Sequence, residues 1–307
     1  MIDLHTHSTF SDGSDTPEQL ARNASKIGIS AISLTDHDTT ASYDRMAASC
    51  AQYGIELIAG TEVSLRDPEF PKQRSSGPST PRNIHVLAYF LPLDLSHPVQ
   101  QKLAEMRRDR TERNEKLVEL LREKGFEKIN LEFLTELVGN ADNIGRPHFA
   151  QAMFELHPEI VGEKDPETWN AVFADWLGEG GKAHVSRKSM SVEEFMDAAK
   201  GSGTVFSVAH PLVNYVSSLS ATEIEETMPK VLNSLRDRGF AGAEAYYGGV
   251  NEKTRGHMVK LTRNAGLIPT GGSDYHGSYK EDVKLGLGRT GDLRVPNEVL
   301  DEMKAAR

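Results

Sequence analysis

The amino-terminal segment IDLHTHSTFSDG, residues 2–13, carries two histidines and an aspartate behind an apolar start. The first seven of these residues are typical of a short strand. Residues two apart in a strand point to the same side, so His5 and His7 can aim at one point. Asp12 follows in the tight turn Ser-Asp-Gly. The segment therefore predicts an opening strand that ends in a divalent-metal site.

Strand-like and helix-like segments alternate along both outer parts of the chain. For example, residues 16–28 predict a helix in which Thr16 is the cap, Pro17 takes the first position and Gly28 ends the helix. Apolar strands that alternate with helices indicate a parallel sheet or a barrel. The strands are expected within residues 2–8, 31–38, 56–64, 83–90, 204–210, 242–248 and 267–277.

The middle of the chain lacks a strong strand pattern. Residues 99–126 predict a long charged helix, and its charges are typical of a solvated helix face. We therefore expect an α/β barrel formed by residues 1–96 and 190–307, with a helical insertion at residues 97–189 that caps the site. A length of 307 residues suits either one large domain with an insertion or two domains.

Residues 66–83 are rich in proline, serine and glycine and include Lys72, Arg74 and Arg82. This composition predicts an irregular excursion between the third and fourth strands. The alternative is a basic flap over a site at the strand ends. The sequence leaves both open.

The overall composition excludes several classes of protein. A hydrophobic fraction of 38% is ordinary for a folded chain. The net charge of −10 argues against a broad basic surface for nucleic acid but not against a local basic pocket. Cys50 is the single cysteine, so no internal disulfide can form and a cytoplasmic location is expected. No apolar run reaches about 18 residues and no signal sequence is visible, so we expect no membrane association.

Ionisable side chains recur at the predicted strand ends. Six of the seven strands carry a histidine, aspartate or glutamate at or just beyond the carboxyl end, where active sites of α/β folds assemble. Each residue alone also fits a turn, a solvated surface or a structural histidine. As a set they favour metal coordination, because these groups are costly to bury without partners. The candidate ligands are His5, His7, Asp12, His37, Glu62, His85, His210, Asp274 and His276.

The motifs HTHSTFSDG, SLTDHD, GTE, IHVLAYF, VAHP and GGSDYHG, in this order, resemble those of the polymerase and histidinol phosphatase (PHP) family of metal-dependent phosphoesterases. The resemblance covers both outer segments, about two-thirds of the chain. It implies a distorted (β/α)7 barrel, the PHP fold, with two or three divalent ions at its carboxyl rim.

Taken position by position, the resemblance implies three metal centres, two of which share Glu62 as a bridge. Asp36 would orient an imidazole from behind the ligands. The first centre would comprise His5, His7, Glu62 and Asp274. The second would comprise Glu62, His85 and His210. The third would comprise Asp12, His37 and His276.

Six imidazoles and three carboxylates without a thiolate suit Mn²⁺, Fe²⁺ or Zn²⁺, with Mg²⁺ as a further alternative. The carboxylate at the third centre favours Mn²⁺. Divalent ions neutralise phosphoryl oxygens and lower the pKa of bound water, so a metal-bound hydroxide is the expected attacking group. No side-chain nucleophile is expected, because the chain lacks a Gly-x-Ser-x-Gly segment and Cys50 lies in a predicted helix.

The Ser-Asp-Gly turn and the insertion are similar to the nucleoside 3′,5′-bisphosphate phosphatase subgroup of the family. That subgroup includes 5′–3′ exoribonucleases that act on short 5′-phosphorylated oligonucleotides. The segment IGRPHFA, residues 144–150, is similar to a segment of the same subgroup and offers Arg146 and His148 as phosphate contacts. Further candidates are Arg113, Lys182 and Arg187, although each also fits an exposed solubilising side chain.

The expected partner is a small nucleotide or an oligonucleotide end, with phosphate as product, and not duplex nucleic acid. A long strand would need a basic track with interleaved aromatic residues. Trp169 and Trp176 lie seven residues apart in a predicted helix, a spacing that favours the core over such a track.

Three alternatives stay open from the sequence. One is a phosphatase for another small metabolite such as histidinol phosphate, although those relatives tend to carry histidine in place of Asp12. A second is a non-catalytic metal-binding module, against which all nine ligand positions are filled. A third is an amidohydrolase-like enzyme, which the Asp12 turn and the lack of a strand-end lysine disfavour.

Overall fold

The computed structural model describes residues 1–72, 80–139, 144–178, 180–186, 190–217 and 219–307. Within these residues, one seven-stranded sheet follows the order of the chain. This confirms the seven predicted strands. They are β1 Ile2–Thr6, β2 Ala31–Leu34, β3 Glu56–Lys72, β4 Thr80–Tyr89, β5 Val205–Val208, β6 Gly242–Tyr247 and β7 Ile268–Gly272.

The sheet curls into a nearly closed barrel because its first and last strands meet. The backbone amide of His7 donates to the carbonyl oxygen of Tyr275 over 2.9 Å. The amide of Asp274 donates to the carbonyl oxygen of His5, also over 2.9 Å. The contact between β1 and β7 therefore lies within the two segments that carry candidate ligands, and the predicted distorted (β/α)7 barrel is confirmed.

Strand β4 distorts the barrel, because it runs antiparallel to both β3 and β5 while the other neighbouring pairs are parallel. Its amino-terminal part therefore reaches the rim at which the parallel strands end. His85 lies inside this strand, opposite Ser64. The expectation that ligands follow carboxyl strand ends is wrong for β4, and Glu62 likewise lies within β3 rather than past its end.

Strands β3 and β4 continue beyond the barrel as a paired hairpin that reaches Lys72 and Thr80. The buried carboxylate of Asp67 anchors this hairpin to the helices beside it. It accepts a hydrogen bond of 2.7 Å from the Tyr215 hydroxyl and one of 3.0 Å from the Arg238 guanidinium. A buried carboxylate needs such donors, so this cluster fixes the direction of the hairpin.

The irregular excursion predicted for residues 66–83 is therefore wrong for the described part of that segment, because cross-strand pairing outweighs its proline-rich composition. Arg82 donates to the carbonyl oxygens of Phe70 and Asn214 and so takes part in the packing of the hairpin. Arg74 lies outside the described residues.

Helices pack outside the barrel, and several of them begin at a residue whose side chain caps the first turn. In the first of them, Thr16 accepts a hydrogen bond from the Gln19 amide over 3.3 Å and Pro17 takes the first position, as predicted. The barrel helices are α1 Pro17–Lys26, α2 Tyr43–Tyr53, α8 Val192–Ala198, α9 Pro211–Tyr215, α10 Ala221–Asp237, α11 Glu252–Asn264 and α12 Asn297–Ala305.

Between residues 97 and 189, the part of the chain that the structure describes contains helices and no strand. These helices bury an apolar cluster of their own, which includes Leu121, Phe126 and Phe149. The boundaries of the insertion at residues 97 and 189 stay a prediction. The helices are α3 Pro98–Glu123, α4 Leu131–Val138, α5 Arg146–Leu156, α6 Pro158–Val161 and α7 Pro166–Val172, followed by a π-helical turn at Phe173–Leu177.

Among the helices that the structure describes, none combines the length and the apolar character needed to span a bilayer.

Cys50 is buried in α2, and burial raises the pKa of its thiol to about 11. A thiol with this pKa is a poor nucleophile at neutral pH, which agrees with the expectation that no cysteine takes part in the chemistry. The cytoplasmic location stays a prediction.

Candidate metal centre

All nine predicted ligands meet at one rim of the barrel, with Glu62 at their centre. The Glu62 side chain is 1% exposed, and nitrogens of five imidazoles surround its two oxygens. From Oε2 the distances are 3.2 Å to His5 Nε2, 3.1 Å to His7 Nε2 and 3.3 Å to His37 Nδ1. From Oε1 they are 2.9 Å to His85 Nδ1 and 3.0 Å to His210 Nε2.

The remaining three ligands close the site on the other side of His7. Asp274 Oδ1 lies 3.5 Å from His5 Nε2 and 3.6 Å from His7 Nε2. Asp12 lies 3.4 Å from His276 Nε2 and 3.6 Å from His37 Nε2. Carboxylates thus alternate with imidazoles across the rim. Their oxygens and nitrogens point towards one another and could bind the same ion.

The charges of this cluster depend on one another. Burial alone would raise the pKa of Glu62, but the imidazoles of His85, His37 and His5 hold it well below its ordinary value. Burial lowers the pKa of His7 and of His37 to about 4, so both rings are neutral at physiological pH. A neutral imidazole beside an ionised carboxylate offers a lone pair, which is the state that a metal ligand requires.

The donor set fits divalent metal ions. Among the described residues, four buried ring nitrogens lack a hydrogen-bond partner, which is costly unless another group satisfies them. They are His5 Nε2, His7 Nε2, His37 Nδ1 and His210 Nδ1. The first three face Glu62, so an ion placed among them would bind otherwise unsatisfied atoms.

Among the described residues, three groups of side chains could each hold an ion, because the donor atoms within each group all lie within 4.8 Å of one another. They overlap with the three centres that the resemblance implies, but His7 also joins the third centre and His37 also joins Glu62 and His85. The assignment of each side chain to one ion stays a prediction. The groups are His7, Asp12, His37 and His276; His5, His7 and Asp274; and His37, Glu62 and His85.

The turn that carries Asp12 is held by backbone packing and by Asp36. A Cβ at Gly13 would lie 2.4 Å from the His7 carbonyl oxygen, so this turn requires glycine. Asp36 accepts hydrogen bonds from the amide and hydroxyl of Ser8, each of 2.8 Å, and one of 2.8 Å from the Ser11 hydroxyl. The carboxylate of Asp36 therefore holds the turn, and its expected role in orienting an imidazole stays a prediction.

The carboxylate that orients an imidazole is Glu244, in the middle of β6. Its Oε1 lies 2.8 Å from His5 Nδ1, and its Oε2 accepts a 2.7 Å hydrogen bond from the amide of His210. This contact turns His5 so that Nε2 faces Glu62. Sequence analysis missed Glu244, although a carboxylate in the otherwise apolar and aromatic strand GAEAYY was a signal that could have found it.

Replacement of Glu244 by glutamine is expected to weaken metal binding by about 10- to 100-fold, the usual effect of losing a carboxylate behind a ligating histidine. The amide keeps the size of the side chain but removes the charge that fixes the His5 tautomer. Metal affinity measured by titration with a competing chelator checks this. An unchanged affinity would show that Glu244 does not position His5.

Asp274 is held by two neighbours that sequence analysis also missed. Its Oδ2 accepts a 2.8 Å hydrogen bond from Lys280 Nζ and one of 3.2 Å from the Tyr247 hydroxyl. Burial alone would raise the pKa of Asp274, but Lys280 and His276 lower it well below its ordinary value. The carboxylate is therefore ionised and fixed in orientation, with Oδ1 left to face His5.

A first cleft of about 190 Å³ opens beside Asp12 and His37, and its wall includes three arginines, Arg110, Arg113 and Arg146. Arg110 is fixed by a hydrogen bond to the carboxylate of Asp38 and by one of 3.3 Å to the carbonyl oxygen of His37. Three guanidinium groups at one cleft favour an anionic ligand. Sequence analysis proposed Arg113 and Arg146 but missed Arg110.

A second cleft of about 260 Å³ lies over the ligands themselves. Its wall includes Glu62, Asp274 and Lys280 from the barrel part of the chain, and Trp169 and Phe173 from the helices of residues 97–189. Trp176 packs against Phe126 with ring centroids 4.8 Å apart, as its spacing predicted. For Trp169 that prediction is incomplete, because the ring contacts the apolar cluster and also lines the cleft.

Two other predicted substrate contacts, His148 and Lys182, do not line either cleft. His148 is 1% exposed and its Nδ1 accepts a 2.9 Å hydrogen bond from the Gly145 amide, so it caps α5. Burial lowers the pKa of His148 to about 4, so it supplies no positive charge for a phosphate at neutral pH. Lys182 is exposed and places its ammonium 4.6 Å from the Trp176 ring centroid. Arg187 lies outside the described residues.

Comparison with known proteins finds full-length relatives with three phosphoester activities. A 3′,5′-nucleoside bisphosphate phosphatase of Chromobacterium violaceum is 28% identical over 295 residues, 95% of this chain and 92% of that protein. A 5′-3′ exoribonuclease of Escherichia coli is 27% identical over 282 residues, 90% and 85% of the two chains. A phosphoribosyl 1,2-cyclic phosphate 1,2-diphosphodiesterase of Eggerthella lenta is 25% identical over 287 residues, 93% and 97% of the two chains.

A similar solved structure comes from Bifidobacterium adolescentis and is provisionally assigned as a metal-dependent phosphoesterase. It superimposes with a TM-score of 0.76 and 27% sequence identity, over 99% of this chain and 95% of that one. Residues 3–206 of this chain match the model of the PHP domain, which is more than half of its length. The chain therefore belongs to the PHP domain family and is a metal-dependent phosphoric ester hydrolase.

Proposed function

We propose that the protein removes the 3′-phosphate of nucleoside 3′,5′-bisphosphates, and that short 5′-phosphorylated oligonucleotides are further substrates. The observation that carries this proposal is the cleft with Arg110, Arg113 and Arg146 directly beside the nine ligands. A nucleoside bisphosphate has two phosphate groups, so one can bind at the metal ligands while the other binds beside the arginines. The name of the Chromobacterium violaceum relative supports the same substrate class.

The nine side chains would hold two or three divalent ions, and we propose Mn²⁺ because the third centre includes the carboxylate of Asp12. When bound, such ions neutralise the charge on phosphoryl oxygens and lower the pKa of a bound water molecule towards about 7. The protein's own part is to fix the ligands. Glu244 turns His5, Lys280 and Tyr247 hold Asp274, and each contact limits the rearrangement that would otherwise precede reaction.

The cleft lined by Arg110, Arg113 and Arg146, the arginine cleft, would bind the second phosphate. This phosphate would position the substrate without being hydrolysed. Arg110 is prepositioned by Asp38, so little side-chain entropy is lost when an anion binds beside it. Arg146 begins α5, and Arg113 lies on α3. Arg110 also lies on α3, so all three arginines belong to the helices of residues 97–189. We therefore propose that residues 97–189 form the substrate cap, and the cleft that they line is too small for duplex nucleic acid.

The test is phosphate release by Mn²⁺-loaded protein from adenosine 3′,5′-bisphosphate, with AMP, histidinol phosphate and a short 5′-phosphorylated RNA assayed beside it. We expect rapid release from the bisphosphate and none from AMP, because the 5′-phosphate occupies the arginine cleft and not the metal centre. Equal release from AMP, or turnover of histidinol phosphate alone, would contradict the proposed substrate.

A further inference from the structure

We propose that Phe173, supported by Trp169, is the stacking platform for the nucleobase of the substrate. This inference rests on the proposed function, because it concerns how the same site recognises a nucleotide. Phe173 lines both clefts, and Trp169 lines the cleft over the metal ligands. Neither aromatic side chain is needed to hold an ion or a phosphate, so their place at the cleft points to a planar apolar group.

The position of Phe173 matches the shape of a nucleoside 3′,5′-bisphosphate. One phosphate would lie over the metal ligands and the other beside the arginines, and Phe173 belongs to the walls of both spaces. In such a molecule the base is attached to the same ribose that carries the two phosphates. A base held near the boundary of the two clefts therefore reaches Phe173, whereas a base-free sugar phosphate would leave this ring without a partner.

Trp169 and the aromatic ring of Phe173 form one rigid unit. They are four residues apart along the helical segment, and their ring centroids lie 5.7 Å apart at an interplanar angle of 53°. Behind Trp169, the ring of Phe154 stacks at 5.9 Å and 14°. The platform is thus fixed before a ligand arrives, which reduces the entropy lost on binding.

The backbone at Phe173 is also unusual. The helix widens to a π-helical turn at Phe173–Leu177, in which the Gly178 amide donates to the Phe173 carbonyl oxygen over 2.7 Å. Such turns are rare and are frequently found at functional sites. A Cβ at Gly178 would lie 2.5 Å from that oxygen, so glycine permits this turn. The π-helical turn thus begins at Phe173, the residue that lines both clefts.

The experiment compares kcat/KM for adenosine 3′,5′-bisphosphate with that for its abasic analogue, in which hydrogen replaces the base, using Mn²⁺-loaded protein. Stacking of one base on an aromatic side chain is worth roughly 10- to 100-fold, so wild type should prefer the nucleotide by about that factor. The variant Phe173→Leu keeps an apolar side chain but lacks the π face. It should lose this preference, so that its kcat/KM values for the two substrates become similar.

The matched control is Trp176→Phe, an aromatic residue of the same turn that packs against Phe126 and should keep the full preference. Emission from Trp169 in this background provides a binding measurement independent of turnover. Titration with AMP should give a Kd about ten-fold higher in the Phe173→Leu variant.

The outcomes separate the inference from the proposed function. Equal use of both substrates by wild type would overturn the stacking platform and leave the phosphatase assignment intact. A Phe173→Leu variant that loses both substrates equally would assign Phe173 to the fold and also overturn it. Failure of wild type to hydrolyse either compound would overturn the proposed function.

Discussion

The variant Glu62→Gln is expected to lose its bound metal and to turn over at least about a thousand-fold more slowly, since ions of this kind contribute several kcal/mol to phosphoester hydrolysis. The two oxygens of Glu62 face five imidazoles. The amide has the same shape but no charge, and one of its oxygens becomes an NH₂ group that cannot bind a cation. Metal content measured by plasma mass spectrometry, together with turnover, checks this.

A matched control for this variant is Glu56→Gln. Glu56 lies on the same strand, β3, but its carboxylate is about half exposed and pairs with Lys304 over 2.8 Å. Exposed ion pairs contribute little to stability, so this variant should keep its metal content and its turnover. A Glu62→Gln protein that is folded by circular dichroism and still binds a full complement of ions would contradict the role given to Glu62.

The variant Arg146→Ala is expected to weaken substrate binding by roughly 1.5–3 kcal/mol, the usual value for a hydrogen bond to a charged group, without loss of metal. Arg146 lies in the wall of the arginine cleft and is not itself one of the nine candidate ligands. The effect should appear in KM for adenosine 3′,5′-bisphosphate. The variant Arg146→Lys should recover only part of it, because an ammonium cannot form the bidentate contact of a guanidinium.

Arg289→Ala serves as the control for Arg146→Ala. Arg289 is exposed and pairs with Asp282 over 2.7 Å, so its loss removes the same charge from the protein at a site outside the clefts. The kinetics of this variant should match those of wild type. Unchanged kinetics in Arg146→Ala itself would show that the second phosphate binds elsewhere.

Much of the site could be predicted from the sequence, because its parts are local. His5 and His7 lie two apart in a strand, and the Asp12 turn follows within a few residues, so their spacing indicates a shared direction. His210 and Asp274 each come directly after a short apolar strand. In a barrel of parallel strands, such positions meet at the same rim, so a pattern along the chain becomes a cluster in space.

Features set by distant contacts could not be predicted in this way. Hydrophobic patterning does not reveal the direction of a strand, so the antiparallel course of β4 was invisible. Residues 66–83 have the composition of a loop, yet the Asp67 cluster and cross-strand pairing hold the described part as a hairpin. Composition therefore misled where a few buried polar contacts decide the structure.

The missed residues share the same cause. None of them belongs to a spacing motif. Glu244 and Arg110 each act through a partner far away in sequence, and Lys280 acts through Asp274, which it meets only because the chain turns after β7. Arg110 looked like one charge among many on a solvated helix. Only the fold shows that Asp38 fixes this guanidinium at the edge of the cleft.

We propose that the nine candidate ligands, with Glu62 at their centre, hold the ions that promote hydrolysis of the ester. Anomalous diffraction from crystals of Mn²⁺-loaded protein, with data collected at the manganese absorption edge, tests it most directly. We expect two or three anomalous peaks among these side chains, with both oxygens of Glu62 bound to metal. Peaks elsewhere on the protein, or a Glu62 carboxylate that contacts no ion, would contradict it.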